Sequence, residues 1–222
     1  MKAVGRRGSV TIMVSTSHTP SLSNAALEDY LKKHLANELH WMLRAAVEWH
    51  IQNRIRLKIS GYHVQVFAMD SSFLHARTLF EFFTCRTTRN HYGYDAYRIS
   101  MPLSSTVPHV VDTIYLSGGW NSALHAYLMH AQDRTVTQRL IDFDGTTTKH
   151  IKRMPVDFAL EVVRLWRAFA NQLSLSADPD IQKLGVVTQN ILKRAIDQTE
   201  DVYTRKKVVA MKQRFLAKRI SW

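Results

Sequence analysis

The stretch DSSFLHARTLFEFFTCRTTRNH, residues 70–91, sets Asp70, His75, Arg77 and Glu81 in an apolar segment and ends with Arg86 and His91. A neutral imidazole can take a proton near pH 7, and a guanidinium can grip a phosphate with two parallel hydrogen bonds. Those residue types therefore suit phosphodiester chemistry. Asp70, Arg77 and Glu81 recur at seven and then four residues, so on a helix they share one face. The trio reads either as an ion-pair ladder or as a shell that positions Arg77 to hold an anion. His75 falls nearly opposite Arg77 around the same helix and reads most simply as a packed histidine.

A second constellation lies further on. Tyr127, His130 and Arg134 stand at i, i+3 and i+7 and share a helix face, with the histidine one turn before the arginine. The pair reads either as a solvated or hydrogen-bonded helix face or as the first-choice catalytic pair, His130 as general base or acid and Arg134 as phosphate clamp, with Arg77 in a supporting role. Arg86 and His91 are the second choice. They fit an arginine–histidine spacing of four to six intervening residues that also occurs at Arg44–His50 and Arg56–His63, about as often as chance predicts.

No metal or cofactor site is expected. His34 and Glu38 are one turn apart, but no third ligand converges on them, and His125 and His130 point about 140° apart on a helix. A phosphate-cradling glycine loop and a dinucleotide fingerprint are both missing. The single cysteine, Cys85, is expected as a small buried hydrophobe.

These residues need elements to position them, and the periodicity supplies helices. Leu27, Leu31, Leu35, Leu39, Leu43 and Val47 recur every four residues, predicting a long helix over 21–53 capped by Ser21 or Ser23. After a break at Gly61, a second helix is predicted from about Tyr62 to Cys85, apolar on more than one face and so central in a bundle. An irregular stretch over 86–120 leads to a predicted helix over 120–134, and DFDGTTT reads as a turn or short hairpin. Pro155 opens a fourth helix with Phe158, Val162, Leu165, Trp166 and Phe169 on its inner face, and SADPD separates it from a fifth. The fold class expected is all-α, an antiparallel bundle of four to five long helices.

The charge of +12 is not evenly spread. Residues 1–22 hold three basic residues and no acid, and residues 202–222 hold seven and no acid. The 23–201 bundle between them is thus close to neutral, with 20 basic residues against 18 acids. Three parts follow: a basic leader over 1–22, a helical bundle domain over 23–201, and a basic amphipathic helix over 202–222. Arg205, Lys206, Lys207, Lys212 and Arg219 of that last helix are the candidates for nucleic-acid contact, with Val208, Met211 and Phe215 forming its apolar stripe. No apolar run is long enough for a membrane span, and a single cysteine without a secretory h-region points to the cytoplasm.

Ser71–Phe83, SSFLHARTLFEFF, resembles the LLHARNLIDFF-like helix of a group of small, mostly uncharacterised bacterial helical proteins. Leu124–Arg134, LHAYLMHAQDR, is similar to their INKEVAHLTYDR-like helix, with His130 and Arg134 on the matched histidine and arginine, and Val156–Leu173 fits their final core helix. The match spans about residues 25–175 and departs at His125-Ala126, where the group has Asn-Lys. The resemblance implies an HEPN-like bundle, often dimeric. Some such proteins are metal-independent endoribonucleases of toxin or defence type, and others keep the bundle without a working site. It implies RNA or another nucleic acid, a second copy, or the product of a neighbouring gene as partner. A non-catalytic interaction module is the competing expectation.

Overall fold

The computed structural model of the chain describes residues 22–55, 60–88, 91–101, 154–201, 213, 216 and 217. Among them the fold is all-α, with no strand beyond one isolated bridge between Thr88 and His91.

The first helix, α1, is built from Asn24–Asp29, a π-helical turn over Tyr30–Leu35, and Ala36–Ile55. Ser23 caps it, its Oγ accepting from the Ala26 N–H. All six residues of the four-residue repeat are buried. A regular α-helix could not bury them on one stripe, since each four-residue step overshoots a full turn by about 40°. Five such steps from Leu27 to Val47 would sweep about 200°. The π turn takes up one extra residue, the Ala36 N–H reaching back to the Leu31 carbonyl, and unwinds about 100° of that sweep.

The second helix, α2, spans Ser60–Thr84. Gly61 therefore lies in its first turn rather than ahead of it, outside the helix interior where the entropic penalty of glycine is largest. Cys85 corrects another expectation: the helix stops at Thr84 and the thiol is exposed. A short 3₁₀ turn over Tyr94–Tyr97 follows. The helices α3, Met154–Ser174, and α4, Pro179–Asp197, then form a hairpin, and a 3₁₀ turn over Gln198–Asp201 ends the bundle. Pro155 sits in the first turn of α3, and Asp178 caps α4 by accepting from the Asp180 and Ile181 N–H groups.

Side-chain pairs fix the directions. Ser72 meets Met42, His75 meets Glu38 and Phe82 meets Tyr30, so α2 runs antiparallel to α1. Phe73 and Phe80 meet Phe158, while Phe83 meets Trp166 and Phe169, so α3 runs parallel to α2. The antiparallel order expected from the sequence thus holds for α1/α2 but not for α2/α3, which residues 102–153, outside the described residues, separate in the chain. Edge-to-face aromatic contacts fill the core, with Phe82 and Tyr97 both set against Phe169 at 5.2 Å between ring centroids. Burying each such phenylalanine contributes on the order of 1.5–3 kcal/mol.

The α3/α4 hairpin closes tightly because position 185 has no side chain. A Cβ on Gly185 would stand 2.1 Å from Ser174 Oγ, 2.9 Å from its main-chain nitrogen and 3.0 Å from the Ala170 carbonyl oxygen. Nearby, Trp166 Nε1 donates to the Thr188 carbonyl at 2.9 Å. Gly185→Ala is expected to lower stability by about 1–3 kcal/mol in urea unfolding, through overpacking. Val186→Ala, on the exposed side of the same helix, should stay within about 0.5 kcal/mol. Equal losses would refute the close-approach explanation.

Candidate functional site

The structure joins two residues that the sequence presents separately. Crossing α1 and α2 bring His75 Nδ1 to 2.8 Å from Glu38 Oε2, with both side chains partly open to solvent at 18% and 29%. A carboxylate only accepts hydrogen bonds, so with Glu38 ionised it is Nδ1–H of His75 that donates to it. An imidazole oriented this way by a carboxylate is the working arrangement of a general base.

Aromatic rings continue the cluster along α1. Tyr30, His34 and Glu38 are successive one-turn neighbours. The Tyr30 and His34 rings lie 5.4 Å apart at 30°, and Tyr92 meets Tyr30 at 5.4 Å and 72°. Burial holds the Tyr30 phenol above its ordinary pKa, and the nearby Glu38 charge and Tyr92 push the same way, so it stays a neutral hydroxyl near pH 7.

Tyr92 sits on a loop with its own polar knot. Asp95 Oδ1 accepts from the Thr87 N–H at 2.8 Å and from Thr87 Oγ1 at 2.6 Å, while the Gly93 N–H donates to Thr87 Oγ1 at 3.0 Å. Gly93 is obligatory there, since a Cβ would fall 2.1 Å from the Cys85 carbonyl oxygen. Tyr97 anchors the loop by donating from its hydroxyl to the Leu27 carbonyl at 2.8 Å, both groups being buried. Asp178 adds a tie to the same end, its Oδ2 accepting from Arg98 Nη1 at 3.2 Å and from Asn24 Nδ2 at 3.5 Å.

Of the expected site residues, Arg77 is engaged locally: its Nε donates to Glu81 Oε1 at 2.9 Å, one turn on, and Asp70 is half-buried on the same helix. Arg86 is exposed beyond the end of α2. His91, five residues on, has a buried Nε2 without a hydrogen-bond partner in the protein. Its main chain bridges back to Thr88, whose N–H donates to the His91 carbonyl at 2.8 Å. His130 and Arg134 lie outside the described residues, as do Arg205, Lys206, Lys207, Lys212 and Arg219. No group of three metal-ligating side chains occurs among the described residues. Sequence reasoning missed the Glu38–His75 pair and Tyr92. The one-turn spacing of His34 and Glu38 was the available signal, but which residue of another helix faces Glu38 is set by the crossing.

A second histidine of α1 behaves differently. His40 packs edge-on against Trp41, and its Nδ1 is buried without a hydrogen-bond partner. Burial lowers its pKa below the ordinary 6.5, the Arg44 charge lowers it further, and a hydrogen bond with Gln198 opposes both.

Comparison with protein families, with curated proteins and with solved structures finds no match to this chain.

His40 yields a pH prediction. The unfolded chain takes up a proton near the ordinary value, whereas the folded chain resists until lower pH. This contribution is thus complete above that value and lost as pH falls through it. Between about pH 7.5 and about pH 5.5, wild type should lose more urea stability than His40→Gln. A steeper loss in the variant would reverse the assignment.

Proposed function

We propose that this helical bundle is an HEPN-like protein acting on RNA as a metal-independent endoribonuclease of toxin or defence type. The observation carrying the reading is the Glu38–His75 pair, an imidazole oriented by a carboxylate and partly open to solvent. The basic stretches 1–22 and 202–222, with ten basic residues and no acid between them, favour a polyanionic partner at the ends of the chain, whereas 23–201 is close to neutral.

The chemistry is transfer of the phosphoryl group onto the neighbouring ribose hydroxyl. A base removes the 2′-hydroxyl proton, that oxygen bonds to phosphorus, and the bond to the 5′-oxygen breaks as an acid returns a proton to it. The products are a 2′,3′-cyclic phosphate and a 5′-hydroxyl. Two proton-transfer groups are needed, and His75 joins His130 as the candidates. Arg134 is the phosphate clamp. Arg77, braced by Glu81, is a positioning residue.

A second reading, a non-catalytic module that docks a protein partner, is favoured by a row of exposed apolar side chains on α2. Val64, Phe67 and Leu74 are spaced three and seven residues apart, and Phe67 is 69% exposed.

The full chain is expected to cut a mixed RNA pool in EDTA, leaving cyclic-phosphate ends. His75→Gln and His130→Ala should each lower the rate by about 10²- to 10⁴-fold while circular dichroism shows the helices intact. Absence of cutting by wild type refutes the enzyme. A stable complex with a protein, abolished by Phe67→Ser and indifferent to His75→Gln, would establish the second reading instead.

A further inference from the structure

The side of α3 turned away from the core is buried too. Phe158, Trp166 and Phe169 face α2 and Tyr97, and the Trp166 indole reaches α4. Leu160 lies about 180° around the helix from Phe169, with Val156, Arg164 and Arg167 within about 40° of it. Val156 is nevertheless only 3% and Leu160 only 8% exposed, so something covers this outer face. We infer that residues 202–219 cover it as a further helix laid parallel to α3, with Val208, Met211 and Phe215 turned inward and Arg167 capping its last turn. This goes beyond the ribonuclease reading and holds whether or not RNA is cut.

A hydrogen bond puts the segment at this face: Arg167 Nη2 donates to the Leu216 carbonyl at 3.0 Å. Gln213, Leu216 and Ala217 are helical. Carbonyls in the last turn of a helix lack main-chain donors, and a cation is favoured at that end. Burial lowers the guanidinium pKa below its ordinary value, as fits a covered side chain. The length fits as well. Antiparallel pairing of Trp166 with Thr188 sets the end of α4 level with the first turn of α3. From Met154 to Arg167 α3 rises about 20 Å, and a helix from Asp201 to Leu216 rises about 22 Å. An extended chain of that length would run about 50 Å and carry Leu216 past the far end of α3.

Exposure fixes which way the helix faces. Gln213, Leu216 and Ala217 are all exposed, and on a helix they centre about 160° from Val208, Met211 and Phe215. With the first three outward, the apolar stripe meets α3 over Val156 and Leu160. The basic residues then fall along the two edges of the stripe, Arg205, Lys212 and Arg219 on one and Lys207, Arg214 and Lys218 on the other. Long cationic side chains suit such edges, their stems lying on apolar surface and their heads in water. The basic end of the chain is thereby a fixed part of the bundle surface rather than a free arm.

Hydrogen–deuterium exchange of the full chain tests this. Amides over 205–216 should be protected, and Met211→Asp should lower that protection by roughly ten-fold while α4 keeps its own. Gln213→Asp, on the outward side, should leave it unchanged. Where Met211→Asp also strips protection from α4, the milder Phe215→Ala takes its place in the comparison. A second measurement identifies the cover, using Leu160→Cys in a Cys85→Ser background. A maleimide should label position 160 slowly, and roughly ten-fold faster once Met211→Asp is added. Unprotected amides over 205–216 in the wild type overturn the inference, as do equal effects of the inward and outward variants. So does labelling that Met211→Asp leaves unchanged, which assigns the cover to another segment of the chain. Labelling that rises on dilution assigns it to a second copy and overturns the inference too.

Discussion

The widened turn at Tyr30–Leu35 is the constraint on which the arrangement rests. It reconciles a four-residue leucine repeat with a helix that closes every 3.6 residues, so one stripe of α1 stays against the core from Leu27 to Val47. It also lies directly above the carbonyl that Tyr97 holds. Leu27 O accepts from the Tyr97 hydroxyl and from the Tyr30 N–H, so the loop after α2 is pinned where the helix changes pitch. Burial forces the Tyr97 phenol far above its ordinary pKa, which keeps it a donor at any ordinary pH.

From that point the geometry propagates in two directions. Down α1, the turns after the widened one set Glu38 opposite His75, Met42 opposite Ser72, and leave Trp41 exposed. Across the bundle end, the loop ties to α4 through Arg98 and Asp178, although Arg98 must adopt a left-handed backbone with φ of 58° to do so. A non-glycine residue in that region is costly and persists where its surroundings fix it. Here the fixing groups are the Asp178 carboxylate on its side chain and the Asp95 carbonyl on its N–H.

Much of the fold was legible in the sequence. The leucine repeat, the Ser23 cap, Pro155 and the Asp178 cap each act through local physics that needs no partner helix, and helices formed where they indicated. The π turn was not read from that repeat, which predicted one long helix, although a strict spacing of four drifts around a regular helix. Cys85 misled because residue type predicts burial only on average, and a helix terminus overrides it. The candidate site was the less legible part. Arg77–Glu81 is a contact within one helix and follows from spacing alone. Glu38–His75 is a contact between helices 37 residues apart in sequence, and depends on crossing geometry. Tyr92 depends on a loop closed by Thr87 and Asp95, whose partners no periodicity reveals.

The irregular features are not scattered. The π turn, the left-handed Arg98, the glycine pressed against a carbonyl and the partly open Glu38–His75 pair all gather toward the end of the bundle where α1 begins and α2 stops. The rest of the core obeys local preference: apolar stripes, capped ends and paired charges such as Glu161 with Arg164. Irregular features gathered in one place hold side chains where packing alone would not put them. A leucine at position 38 or 75 would seal the α1/α2 seam with less desolvation cost than a partly buried acid and imidazole.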